Sequence, residues 1–225
     1  MTKLLRQDLS SGKAQILDIG SGQGDFLFNL RRVLPEAHFV GLELSASGVE
    51  CSRKKVPEAN FIIADLFRPP PDLDAYVGWA TEAVCSEVLE HVDSPTAFLR
   101  AARLYLADDA RLIVTVPSGP MSAFDRHIGH RQHFTRGSIS GILQEAGFAV
   151  ERVYLSGFPF FNLYRSVVIA RGKKLVSDVD AGQPGFSAWL ANRVMMIFRG
   201  LFRLNLMDSR FGWQVVAVAR KIGSD

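Results

Sequence analysis

The sequence predicts an α/β fold: one mostly parallel sheet of seven strands with helices on both faces, and a helical insertion before the last strand. Two observations predict it. Short β-branched apolar runs alternate with amphipathic stretches of helical length from the start of the chain. The 225 residues, 48% of them hydrophobic, can fill the core of one medium-sized domain with an added lobe.

Taken in order, Gln15–Ile19 is the first candidate strand, and it runs through a glycine-rich turn into a helical pattern at Asp25–Leu34. His38–Glu43, a helix over Ala46–Lys54 and Asn60–Ala64 follow. RPPPDLD at 68–74 is a loop, because three consecutive prolines neither donate to a ladder nor continue a helix. Ala83–Ser86 is the fourth strand, and Thr96–Leu106 a helix with Ser94 as N-cap and Pro95 in its first turn. Arg111–Val116 is the fifth strand, and Ser138–Ala146 a helix stopped by Gly147. Ala149–Leu155 and Gln214–Ala219 complete the sheet. The interval Gly157–Gly212 separates two strands that would otherwise be hairpin neighbours, so it reads as an inserted helical lobe. The expected division is a core of 1–156 and 212–225 with a lobe of 157–211.

Composition excludes several classes. The first residues, MTKLLRQDLSSGK, carry no apolar signal core, and no run of about 18 apolar residues exists to span a bilayer, so the expected location is cytoplasmic. Cys51 and Cys85 lack the spacing of a thiolate zinc site, and a reducing compartment disfavours a disulfide. A net charge of +3 is too small to point to DNA, but it is unevenly spread. Between Phe158 and Leu206 lie seven basic residues and two acidic ones.

ILDIGSGQGDF at 16–26 places Gly20, Gly22 and Gly24 between a strand and a helix, where a missing Cβ lets the backbone approach a ligand. The spacing is GxGxG rather than the GxGxxG of a dinucleotide fingerprint, and Asp18 before it suits an amine better than a pyrophosphate. Glu43 ends the second strand, where a carboxylate can take both hydroxyls of a ribose. Asp65 ends the third, where it can accept from an adenine amino group.

ILDIGSGQG, VGLEL, IIADLF, CSEVLEHV, RLIVTVP and HFT…LQEAGF, in that order, resemble the class I S-adenosylmethionine-dependent methyltransferases with their Rossmann-like sheet. The nearest likeness is to the subgroup that includes the ubiquinone-pathway O-methyltransferases. The resemblance covers roughly residues 14–156 and the last strand. It implies S-adenosyl-L-methionine as cofactor, with Gly20, Gly22 and Gly24 along its methionine and ribose. It also implies Asp18 near the amino group, Glu43 on the ribose, Asp65 and Leu66 on the adenine, and Cys85 and Ser86 on the methyl-donor side. Where many relatives have helices before the glycine strand, this chain has about a dozen residues, so the lobe is the expected cover.

In such chemistry the protein aligns a nucleophile behind the methyl group, and an oxygen acceptor must also lose a proton. A histidine titrating near ~6.5 can take it. HIGHRQHFT at 127–135 holds three of the five histidines and follows the fifth strand, on the sheet edge expected to carry the cofactor. His130 and His133 are the leading candidates for base, with His127 next. If Glu87-Val88-Leu89-Glu90-His91 opens a helix, then Glu87, Glu90 and His91 share one face. This segment resembles the ExxEH metal site of plant small-RNA 2′-O-methyltransferases, which implies Mg²⁺ or a similar ion, a partner histidine from HIGHRQHFT, and His91 beside the chemistry. The competing reading has the acids capping a helix and His91 packed against the donor, without metal.

GFPFFNLYR and SAWLANRVMMIFRGLFRLNL, at 157–165 and 187–206, mix aromatics, methionines and arginines. On a helical wheel Asn192, Arg193, Arg199 and Arg203 share one arc and the remainder is largely apolar. That face fits three roles: packing on the domain or on a second copy in a homodimer, a lid over an apolar acceptor, or peripheral contact with a membrane. The expected reaction is O-methylation of a hydrophobic small molecule, lipid-linked intermediate or glycan by a histidine base. RNA 2′-O-methylation and a non-catalytic donor-binding module are the alternatives.

Overall fold

The computed structural model describes residues 14–180 and 200–223, with Met196 and Phe198 between them. Seven strands form one sheet: β1 (Gln15–Ile19), β2 (His38–Glu43), β3 (Asn60–Ile63), β4 (Ala80–Ser86), β5 (Leu106–Pro117), β6 (Phe148–Ser156) and β7 (Gln214–Lys221). Their order is β3-β2-β1-β4-β5-β7-β6. The first five run parallel, and β7 is antiparallel to both β5 and β6. The helices are α1 (Asp25–Leu30), α2 (Ala46–Lys55), α3 (Pro95–Arg103), α4 (Ala123–His127), α5 (Arg136–Glu145) and α6 (Phe160–Asp180).

Pleat alternation divides the core. On β1, Leu17 and Ile19 join one apolar cluster with Leu99, Phe134 and Leu143, while Ile16 joins a second with Leu27, Val49 and Phe61. Both faces of the sheet are therefore covered, as a parallel sheet requires. The helix starts follow their sequence signals: Ser94 accepts from Ala97 N over Pro95, and Thr135 forms a capping box with Ser138. The first helix is shorter than its apolar pattern predicts, ending at Leu30.

Register places the chemistry. Asp18 is level with Gly41 on β2 and Val84 on β4, and Glu43 is level with Ile63 on β3. The carboxyl ends of β1 to β4 therefore finish together, and the turns after them share one edge of the sheet, where open α/β sheets bind ligands. Both β6 and β7 end at the interval 157–213, so α6 leaves from that neighbourhood. Leu206 N donates to Phe158 O and Ser209 N to Leu155 O, which ties the far end of the interval back to β6. No helix among the described residues is long and apolar enough to cross a membrane. Both cysteines are free thiols.

Candidate active site

A cleft of about 380 Å³ opens at this edge, lined by Gly20, Gly22, Glu43, Leu66, Glu87 and His91 among others. Gly20, Gly22 and Gly24 all have positive φ, at 76°, 54° and 75°. A Cβ on Gly20 would stand 2.4 Å from Val88 Cγ2, so this glycine is needed for the turn and for the close approach of the EVLEH segment. The third glycine departs from its expected role: Gly24 caps α1 and packs on Ser52, and is not among the residues lining the cleft.

Asp18 is 2% exposed, and its Oδ2 has no hydrogen-bond partner. Burial, and secondly the Glu43 carboxylate, push its pKa up to about 7. A buried carboxyl with an unused oxygen beneath a glycine turn is chemically suited to an ammonium group. Glu43 accepts from Gly22 N at 2.9 Å and Ser45 N at 2.8 Å, which fixes its carboxylate on the cleft wall with lone pairs left for two vicinal hydroxyls. Leu66 and Ala64 line the cleft. Asp65 stands beside it, its Oδ1 taken by Phe67 N in a local turn. The methyl-donor pair does not face the cleft as expected. Cys85 is fully buried, and its thiol is pushed well up by that burial, with the Glu90 and Asp18 carboxyls adding. Ser86 hydrogen-bonds Thr115 at 2.8 Å.

The expected helical face of Glu87, Glu90 and His91 does not form. Glu87 has φ 55°, its N–H donates to Thr115 O, and only Leu89–His91 form a single 3₁₀ turn. The ladder between β4 and β5 continues one residue into the motif and overrides its local helical spacing. Glu87 turns into the cleft, where its Oε1 accepts from Thr115 Oγ1 at 3.1 Å and Gln214 Nε2 at 2.5 Å. Glu90 turns inward, wholly buried, with neither carboxylate oxygen partnered. Burial, then the nearby Glu87 carboxylate, raise its pKa to about 8, so at neutral pH it is an uncharged acid.

HIGHRQHFT folds against this segment. Arg131 N donates to Glu90 O at 2.7 Å, and the His91 and His130 rings meet edge to face at 4.9 Å. His130 Nδ1 and His133 Nε2 are 3.3 Å apart, and His133 Nδ1 lies 3.0 Å from Gly119 O. These contacts assign the tautomers. A carbonyl only accepts, so His133 carries its proton on Nδ1, and its Nε2 accepts from Nδ1–H of His130. The Nε2 of His130 is left with a free lone pair. Burial, then His91, lower the pKa of His130 to about 4, so the ring is neutral at pH 7. His127, at the end of α4, is exposed.

Three residues that the sequence did not flag complete the arrangement: Asp125, Arg165 and Gln214. Asp125 is fully buried and accepts from Ser122 N and Oγ and, through both oxygens, from Arg165 of α6. Of these, only the Ser122–Asp125 capping box was visible in the sequence, as SAFD before the histidines.

A family model described as a methyltransferase domain matches residues 2–153. The chain belongs to this methyltransferase family. No curated protein matches it in sequence. Among solved structures, a TehB-like SAM-dependent methyltransferase from Corynebacterium glutamicum is 14% identical, with 98% of this chain and 86% of that one covered and a TM-score of 0.58. Phosphoethanolamine N-methyltransferase 2 of Haemonchus contortus, in complex with S-adenosyl-L-methionine, is 14% identical; 98% of this chain covers 51% of that one, at a TM-score of 0.62. Geranyl diphosphate C-methyltransferase of Streptomyces coelicolor is 12% identical, with coverages of 98% and 76% and a TM-score of 0.61. At these identities the likeness shows a shared Rossmann-like fold.

The protein is thus a SAM-dependent methyltransferase. Asp18, buried beneath the glycine turn and not on the cleft lining, is the expected partner of the donor's ammonium, and Glu43, on the lining, that of its ribose. The raised pKa of Asp18 sets a pH dependence. With Asp18 as the expected partner of the ammonium, protonation below about 7 removes its charge, and affinity is expected to be lost as pH falls. From pH 7 to pH 6 the ionised fraction drops from about one half to about one tenth, and donor affinity is expected to weaken about fivefold. Calorimetric titration checks this, and a profile that stays flat across that range would remove Asp18 from the ammonium site.

Proposed function

We propose that this methyltransferase modifies a hydroxyl oxygen of a hydrophobic small molecule, a lipid-linked intermediate or a glycan, with His130 as the proton acceptor. The observation that carries the reading is the tautomer chain from Gly119 through His133, which leaves a lone pair on His130 Nε2 beside the cleft residue His91. Bound S-adenosyl-L-methionine supplies a methyl group already activated on a sulfonium. His130 receives the hydroxyl proton at Nε2 while the oxygen–carbon bond forms and the sulfur–carbon bond breaks. A weak base suffices, because the hydroxyl becomes strongly acidic as its oxygen gives up electron density. Neutral Glu90 and the ring of His91 exclude water around the transfer.

An apolar acceptor is favoured by the aromatic cluster beyond β6. Phe161, Tyr164, Phe198 and Phe202 contact one another through their rings, and Leu204, Leu206 and Met207 are exposed beside them. The lid, homodimer and peripheral-membrane roles of 187–206 rest largely on Asn192, Arg193 and Arg199, which lie outside the described residues; Arg203 is exposed. No described feature favours RNA over a small acceptor.

Mg²⁺ does not fit the residues present. Among the described residues, Glu90, His91 and His130 bring potential donor atoms within 4.8 Å of one another, but two of the three are imidazoles, whereas Mg²⁺ takes nearly all oxygen. Glu87, the oxygen donor expected to complete the set, falls outside that group, with its Oε1 taken by Thr115 and Gln214. EDTA is therefore expected to leave turnover unchanged. Loss of activity restored by Mg²⁺ would overturn this and return Glu87 and Glu90 to a metal-assisted reading. The reaction itself is tested by transfer from methyl-labelled donor into fractionated cell extract. The expected product is an O-methyl ether. Label on nitrogen or carbon would overturn the oxygen assignment, and tight donor binding without any transfer would support a non-catalytic module.

A further inference from the structure

We infer that Arg165, on the helix between β6 and β7, is a positioning residue that holds the proton-accepting histidine in its working tautomer. The inference deepens the reading of His130 above and rests on it for its catalytic consequence. Arg165 comes from a part of the chain that the histidine loop does not touch in sequence, yet its Nη1 and Nη2 donate to Asp125 Oδ1 and Oδ2 at 2.6 and 2.8 Å. The Asp125 side chain is wholly buried and that of Arg165 is 11% exposed, so the pair is screened from water and neither partner can be removed without leaving a charge unmet. His133 Nε2 lies 3.9 Å from Asp125 Oδ2, the same oxygen that Arg165 Nη2 and Ser122 occupy.

The geometry makes Arg165 decide which way the two imidazoles point their protons. With the guanidinium in place, Asp125 is saturated and makes no demand on His133, whose Nδ1–H serves Gly119 O and whose Nε2 receives Nδ1–H of His130. Without it, the buried carboxylate has lost two donors, and the nearest available group is His133 Nε2. That ring keeps Nδ1–H on Gly119 O and takes up a second proton on Nε2, which points at Asp125 as an imidazolium. His133 Nε2 can then no longer accept from His130, so His130 in turn carries its proton on Nε2, and the lone pair facing the acceptor is gone. Arg165 acts through Asp125 and His133, and it makes the seating of α6 a condition for the loop being ready.

The test uses the full chain labelled with ¹⁵N-histidine, comparing wild type with Arg165→Lys, Arg165→Met and Arg165→Gly. In wild type, long-range proton–nitrogen correlations should show Nδ1 protonated and Nε2 bare on both His130 and His133. Arg165→Met should protonate both ring nitrogens of His133, move the His130 proton to Nε2 and lower kcat about 10- to 100-fold, with KM for the acceptor shifted less than kcat. Arg165→Lys, which keeps the charge and guards against a variant that does not fold, should fall between. Added guanidinium should restore the pattern and kcat to Arg165→Gly. Variants that keep the wild-type tautomers would overturn the inference, and so would a loss of kcat that guanidinium does not restore. The ring-nitrogen pattern is read without turnover. If it changes as expected while His130→Ala remains fully active, the fault lies in the assignment of His130 as base and not in the role of Arg165.

Discussion

Replacing Asp18 with asparagine is expected to raise the dissociation constant for S-adenosyl-L-methionine on the order of 100-fold. The substitution keeps the side chain's size but removes the carboxylate expected to meet the donor's ammonium. Truncating one partner of a buried charged pair costs about 2–5 kcal/mol, and about 3 kcal/mol corresponds to roughly 100-fold. The free protein should not lose stability in exchange. Folding raises the pKa of Asp18, so the fold loses stability as pH rises from the ordinary carboxyl range through about 7, where burial of the ionised form becomes costly. A neutral asparagine escapes that loss, and its melting temperature at pH 8 should equal or exceed that of wild type. Weakened donor binding with preserved melting temperature separates a binding role from a structural one. If Asp18→Asn binds donor as wild type does, the ammonium sits elsewhere in the cleft.

His130→Ala is the second large effect: turnover should fall about 10²- to 10⁴-fold while donor affinity stays within about twofold. The ring packs on His91 and hydrogen-bonds His133, so its removal leaves the glycine turn, Asp18 and Glu43 in place. His127→Ala is the matched comparison from the same loop, exposed at the end of α4, and should remain near wild-type turnover. Equal losses in the two variants would mean that the loop matters for its fold alone.

Much of the sheet was legible because its signals are local. Each parallel strand is a short apolar run with its own turn residues, and the acid at the end of β1 or β2 needs only the strand's end to be placed. The EVLEH segment misled for the same reason. Its spacing is helical, but the Glu87 N–H completes a bond to β5 and Val88 seats under Gly20, contacts supplied by residues that are 28 and 68 positions away in sequence. Cys85 lies in the core because both faces of β4 are covered there, Val84 on one and Cys85 on the other. Asp125 and Arg165 were out of reach for a different cause. Their pairing spans 40 residues and depends on how α6 lies against α4, which no periodicity encodes. Gln214 meets Glu87 across 127 residues because β7 inserts between β5 and β6, a consequence of topology that becomes visible only once the sheet is assembled.

The two ends of this edge are expected to do separate work, with donor held at Asp18 and the acceptor proton removed at His130. The most direct measurement is a paired series on wild type, Asp18→Asn and His130→Ala, recording donor affinity by calorimetry and single-turnover methyl transfer at saturating donor with an active acceptor fraction. The predicted result is a crossover: Asp18→Asn weakens donor binding but transfers at nearly the wild-type rate once saturated, whereas His130→Ala binds normally and transfers slowly. A series in which affinity and rate fall together in both variants would contradict the division.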